Sequence, residues 1–244
     1  MNSPSTYADM ARGPSGPYPR VLWWDFDGTL AERPVMWSGC LAATLVELGH
    51  PGLTREDVRP LLAGHYPWDS PQTGHADWGD ADGWWSHFGV HLVGVAAILA
   101  PEIDPASIVP AFRRMYCDPA GFRLFDDTLP ALIRARTAGC RNVIVSNHVP
   151  ELAEIVAALG LEPWIDQVIC SAEVGWEKPD VRIFQAALGD TDPATVAMLG
   201  DNETADVQGP AQLGVRGLLV HHPQGNLPPL TLQDALDDLG LPAG

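Results

Sequence analysis

The run VLWWDFDGT, Val21 to Thr29, joins an uncharged apolar segment directly to two acids and a glycine. Consecutive apolar residues without alternation describe a strand buried on both faces, the habit of a parallel sheet, and the polar residues that follow mark its carboxyl end. Working outward, apolar runs recur at residues 142–146, 167–170, 195–201 and 216–221. Helical patterns separate them at residues 129–138, 150–159, 181–188 and 205–213. Alternation of this kind predicts an α/β fold with a doubly wound parallel sheet, whose strand ends gather ligands.

Between the first two strands, residues 34–120 are far more than one crossover helix needs, so they are read as an inserted unit. Its helices are expected at 37–48, 55–62, 84–99 and 105–116, with the Gly-, Asp- and Pro-rich stretch 66–83 as a loop. Residues 1–16, rich in Ser, Pro and Gly, read as a flexible leader without the apolar stretch of a signal peptide, so a cytoplasmic address is the expectation. Residues 230–239 read as an amphipathic helix stopped at Gly240.

The 244 residues are 46% hydrophobic and 18% charged, which is enough apolar surface for a packed core. Lys and Arg number 14 against 31 Asp and Glu, a net charge of −17 that repels polyanions and anionic membrane surfaces. No nucleic acid or membrane partner is expected, and no apolar stretch approaches the roughly 20 residues of a membrane span. Cys40, Cys117, Cys140 and Cys170 lie far apart with no C-x-x-C spacing, so four free, mostly buried thiols are expected.

Four segments fall at strand ends. In DFDGT, Asp25 and Asp27 are two residues apart in extended chain and point to one side, while Gly28 lets the backbone turn close to a ligand. One acid can attack phosphorus while the other protonates the leaving oxygen. Ser146 and Asn147 offer a hydroxyl and backbone N–H groups to a phosphoryl oxygen. Lys178 is the sole lysine in a chain with 13 arginines, which points to a need for a compact ammonium. GDNETAD places Asp201 and Asp206 where carboxylates can hold a hard cation.

In this order the segments resemble the four motifs of the haloacid dehalogenase superfamily of hydrolases: DFDGT, the Ser of VIVSN, the Lys of WEKPD, and GDNETAD. The resemblance spans roughly residues 21–222 and implies a Rossmann-like core, residues 17–33 and 121–244, with the helical insert 34–120 acting as a cap. It implies Asp25 as nucleophile through an aspartyl phosphate and Asp27 as acid, then base. Ser146 and Lys178 would bind the phosphoryl group, with Gly28, Thr29 and Asn147 as further phosphate contacts. Mg²⁺ would be held by Asp25, the Asp27 carbonyl and Asp201, with Asp206 acting indirectly.

Asp27 argues against dehalogenation, because a halide leaves without a proton. An insert without lysine argues against phosphonate cleavage through a Schiff base. The expected function is therefore Mg²⁺-dependent hydrolysis of a phosphate monoester of a small metabolite, by a monomer or homodimer. A phosphomutase is the alternative within the superfamily, and a non-catalytic binding protein using the Trp-rich insert lies outside it.

The insert carries Trp37, Trp68, Trp78, Trp84 and Trp85 with His65, His75, His87 and His91. Trp84, His87, Phe88 and His91 recur at i, i+3, i+4, i+7, the spacing of a buried stripe. Trp68 and Trp78 sit in the loop and are candidates for a ligand surface. His148 follows a strand end and can reach the site, and His221 and His222 are expected to cap the last strand. From Ala31 to Ala120, five Arg stand against eleven Asp and Glu, a net of −6 that disfavours highly charged anions.

Overall fold

A computed structural model describes residues 18–222 and 228–243; the N-terminal leader lies outside the described residues. Five parallel strands stand in the order β5-β4-β1-β6-β7: β1 Val21–Trp24, β4 Arg141–Ser146, β5 Gln167–Cys170, β6 Val196–Gly200 and β7 Arg216–Leu219. The opening run is the middle strand, with Trp23 opposite Val143 on β4 and Met198 on β6. Successive side chains leave opposite faces, so Leu22 and Trp24 enter one core and Val21 and Trp23 the other. Both faces are covered, which is why this strand shows no polar alternation.

Helices α5 Thr128–Thr137, α6 Leu152–Ala158, α7 Ser171–Val174 and α8 Val181–Leu188 follow in chain order around the sheet. On one face Trp23 stacks on Phe184 of α8, with centroids 6.0 Å apart. The helix expected at 205–213 is instead a π-helical turn, Glu203–Gln208, running into a short α9, Gly209–Ala211. Its start is fixed by Asn202, whose Oδ1 accepts from the N–H groups of Thr204 and Ala205, and Pro210 withholds a donor further on. At the C-terminus, α10 Leu232–Asp238 begins in a capping box between Thr231 and Asp234 and buries Leu232, Ala235 and Leu236, as expected.

The insert forms α1 Trp37–Glu47, α2 Arg55–Leu62, α3 Ala81–Leu99 and α4 Pro105–Tyr116. Helix α3 starts three residues earlier than expected, because Asp80 accepts from Gly83 N and acts as an N-cap where its setting reads as loop. The stripe expectation is corrected too: Trp84 and Phe88 are buried, but His87 is exposed and His91 only half-buried. The buried face runs through Trp84, Trp85, Phe88, Leu92, Val95 and Ala96. Where the chain leaves and re-enters the sheet, β2 Ala31–Glu32 pairs antiparallel with β3 Arg123–Leu124, a ribbon too short to have a periodic signal.

An aromatic cluster holds the insert together. Trp37 stacks on Tyr116 at 4.1 Å and meets Phe88 at 5.1 Å and Phe112 at 5.9 Å. Each such side chain contributes roughly 1.5–3 kcal/mol by leaving water. Of the four cysteines, which are free, Cys40, Cys140 and Cys170 are buried and Cys117 half-buried.

Candidate active site

The carboxyl ends of β1, β4 and β6 and the loop after α7 converge on a cavity of about 230 Å³, lined by Asp25, Asp27, Ser146, Asn147, Lys178 and Asp201. Asp25 leaves β1 with its N–H still donating to Leu199 O on β6, at 2.9 Å. One carboxylate oxygen, Oδ1, accepts from Ser146 Oγ at 2.7 Å and lies 2.8 Å from Lys178 Nζ. Gly28 has φ +83°, and a Cβ on it would lie 2.3 Å from Asp201 Oδ2, so the glycine is what lets the first and fourth segments close on each other.

Lys178 is 3% exposed, with its ammonium between Asp25 and Asp206; Nζ donates to Asp206 Oδ1 at 2.6 Å. Burial works against the ammonium, but Asp206 and Asp25 outweigh it and hold the lysine above its ordinary value. Asn147 Nδ2 donates to Lys178 O and its Oδ1 accepts from Lys178 N, at 2.9 and 2.6 Å. Its side chain is therefore spent on placing the lysine backbone, which leaves its own backbone N–H as the group it can offer a phosphoryl oxygen. The expectation of Thr29 as a phosphate contact is corrected: it is fully buried and does not line the cavity.

Carboxylate oxygens of Asp25, Asp201 and Asp206 lie within 4.8 Å of one another. Three acids face one ammonium. Burial, then repulsion from Asp25 and Asp206, pushes Asp201 up to about 7, and burial raises Asp206 above its ordinary value despite the ammonium. The missing positive charge and the hard oxygen donors fit a divalent cation of the Mg²⁺ type. Asp206 has both oxygens engaged, one by Lys178 and the other by Asn202 N at 3.0 Å, which suits an indirect role. The Asp27 carboxyl stands outside this trio.

Asp27 is pushed up to about 7, by burial first and by the Asp25 charge second. Its Oδ1 is buried without a hydrogen-bond partner. Behind it His148 Nε2 lies 3.6 Å from Asp27 Oδ2, beyond hydrogen-bond reach, in a nest of Phe26, Tyr116 and Phe122. Burial drives His148 down to about 4, so at neutral pH it adds a dry, uncharged wall and no counter-charge. A carboxyl kept protonatable near neutrality beside a second carboxyl in the same cavity is the pairing that general acid and nucleophile require.

The insert adds Met36, Trp37 and Trp68 to the lining. Of the two loop tryptophans only Trp68 lines this cavity; Trp78 stacks on His87 with centroids 5.1 Å apart. Sequence reasoning missed what fixes this loop. His75 N donates to Gly175 O, and His75 Nε2 meets Glu177 Oε1 at 2.9 Å, with both side chains almost fully buried. Gly74 and Gly175 allow the approach, since a Cβ would come within 2.4 Å of Trp176 at the first and 2.5 Å of Ala76 at the second. The one signal was the position of Glu177 beside Lys178. A second contact, in which Arg113 Nε and Trp85 Nε1 donate to Glu151, joins the insert to the N-terminal end of α6. His221 Nε2 lies 3.2 Å from Asp127 Oδ2 and Nδ1 3.4 Å from Gly28 O, with the ring packed on Phe125.

A sequence model of the haloacid dehalogenase-like hydrolases matches residues 19–214. The human haloacid dehalogenase-like hydrolase domain-containing protein 3 is 36% identical over 139 residues, 55% of this chain and 53% of that protein. This chain thus matches about half of its length. Phosphoserine phosphatase of Thermus thermophilus is 36% identical over 102 residues, 41% of each chain. In fold, a HAD phosphatase from Thermococcus onnurineus superposes with a TM-score of 0.62 at 21% identity, covering 91% of this chain and 98% of that one. Among the described residues no helix is long and apolar enough to cross a membrane.

Proposed function

Because this chain belongs to the haloacid dehalogenase-like hydrolases, we propose that it is a phosphatase that hydrolyses a phosphate monoester of a small metabolite. The observation that carries the reading is Asp27: a carboxyl lining the same cavity as Asp25, with an ionisation near 7, at the position where proton donation is needed. Asp25 Oδ2 attacks phosphorus, and the ester oxygen departs with the Asp27 proton. Asp27, now a carboxylate, takes a proton from water as the water attacks phosphorus, which releases phosphate and restores Asp25.

Lys178 and Ser146 hold Asp25 Oδ1 and so aim the other oxygen, and both are placed to meet the phosphoryl oxygens. Asp25, Asp201 and the Asp27 carbonyl would hold Mg²⁺, with Asp206 behind them, and the bound ion supplies positive charge against the repulsion between carboxylate and phosphate dianion. The insert acts as a cap that keeps bulk water from the transfer step. A folded macromolecule does not enter a cavity of about 230 Å³, which supports a small substrate.

The test is phosphate release from a panel of phosphorylated metabolites, with Mg²⁺ or EDTA. Metal-dependent release that falls by about 10³-fold or more in Asp25→Asn is expected. Release that persists in EDTA or in the variant contradicts the reading.

A further inference from the structure

We infer that the substrate's alcohol part is uncharged and carries a flat apolar group, which stacks against Trp68; this deepens the phosphatase reading and rests on it. Met36, Trp37 and Trp68 bring a thioether and two indoles to a cavity also lined by Asp25, Asp27, Lys178 and Asp201. Trp68 is half-buried and held as a platform: Tyr66 lies parallel on it, with centroids 4.9 Å apart and planes 5° from parallel, and Trp37 abuts it at 5.4 Å. Tyr66 covers one face and Trp37 abuts the ring, so Trp68 is held in place where it lines the cavity. A flat partner gains most from such a slab, whereas a cation is held best by several faces at once.

Charge selects in the same direction. Among the described residues that line the cavity, Lys178 is the sole cation, and its ammonium is already shared by Asp25 and Asp206. Arg33, whose charge acts on Asp27, is buried with its guanidinium on Cys40 Sγ and Met115 O, and it does not line the cavity. A carboxylate or second phosphate on the substrate would therefore meet no spare positive group, and it would face an insert with a net charge of −6. Leaving that charge unpaired in a partly dry site is costly. The cavity is also small: about 230 Å³, below the 300 Å³ or so of sites for drug-sized ligands, so phosphate leaves room for a single ring and not for a nucleoside.

The loop that bears Trp68 is anchored at its far end by the buried pair of His75 and Glu177, next in sequence to Lys178. The platform and the phosphoryl-binding lysine are thus tied to one segment, and a substrate bridging them needs a fixed distance between its phosphate and its ring.

The experiment compares benzyl phosphate with propyl phosphate, phosphocholine and 3-phosphoglycerate as substrates of the Mg²⁺-loaded protein. In parallel, calorimetry measures the affinity of benzylphosphonate and propylphosphonate, which are not turned over. Benzyl phosphate is expected to exceed propyl phosphate by about tenfold and 3-phosphoglycerate by about 100-fold in kcat/KM, and benzylphosphonate to bind about tenfold tighter than propylphosphonate. In Trp68→Ala both benzyl-to-propyl ratios narrow to within about threefold, through KM for the esters, and in Trp68→Phe they largely return. Preference for phosphocholine or 3-phosphoglycerate, or benzyl and propyl values equal in the wild type, overturns the inference. If no ester is hydrolysed, the phosphatase reading fails by itself, and the phosphonate affinities still decide this one.

Discussion

Two kinds of residue line the cavity: the charged Asp25, Asp27, Lys178 and Asp201, and the apolar Met36, Trp37 and Trp68. Asp25, Asp27 and Asp201 follow β1 and β6, strands laddered on both sides, and Lys178 is held from the loop after α7 by the carboxylates of Asp25 and Asp206. The apolar kind comes from the start of α1 and from a loop, and is held by ring contacts and by one buried anchor in the loop. The difference teaches a division of labour. Groups that must be ionised and aligned to tenths of an ångström belong on the rigid sheet, whereas the wall that recognises the rest of the substrate tolerates a softer support.

That division can be broken most sharply on the charged side. Asp27→Asn preserves shape but removes the proton donor, and kcat is expected to fall by about 10³-fold for esters of poor leaving groups. Esters whose leaving group needs no proton should lose far less, and an equal loss for both kinds would show that Asp27 is not the acid. Lys178→Arg comes next, with an expected loss of about 10²-fold in kcat. Nζ fits between two carboxylates at 2.8 and 2.6 Å, a space for an ammonium and not for a planar fork. Activity near wild type would refute the placement.

On the softer side the anchor matters more than the wall. His75→Ala leaves the buried Glu177 carboxylate without its partner, at a cost of about 2–3 kcal/mol, which lowers Tm by roughly 5–10 °C. Because the loop carries Trp68, KM should rise more than kcat falls. A variant with unchanged Tm and KM would show that the anchor does not support the wall.

The smallest expected effect is a gain. Asp201 ionises in the folded protein near 7 against an unfolded value near 4, so the folded state binds the extra proton between those values and loses stability as pH rises through 7. Asp201→Asn removes that cost. Without metal it should raise Tm at pH 8 by roughly 2–6 °C and flatten the decline between pH 5.5 and 8, although it abolishes activity. Thermal melts in EDTA at both pH values check this, and a Tm at pH 8 below that of the wild type would contradict it.

Much of the charged side was legible in the sequence because strand ends place residues by simple rules. An unalternating apolar run gives the central strand, and Asp25, Asp27, Ser146, Lys178 and Asp201 all follow such runs or the helix after one. Thr29 stands outside the cavity because a strand-end position does not say whether a side chain looks into the cavity or back into the protein. The aromatic wall was half legible. Composition marked the tryptophans, but only packing across 31 residues from Trp37 to Trp68, and 102 from His75 to Glu177, tells Trp68 from Trp78. Long-range pairs of that kind leave no local period to read.

The central claim is that Asp25 transfers a phosphoryl group and that water then attacks phosphorus. Turnover of a phosphate ester in ¹⁸O-labelled water, with the released phosphate and the Asp25 peptide both weighed, tests it directly. Label is expected in phosphate and absent from the Asp25 carboxylate, since the second attack is at phosphorus. Label accumulating in Asp25 would mean that water attacks the carboxyl carbon, as when an alkyl group and not a phosphoryl group has been transferred, and the account would be wrong.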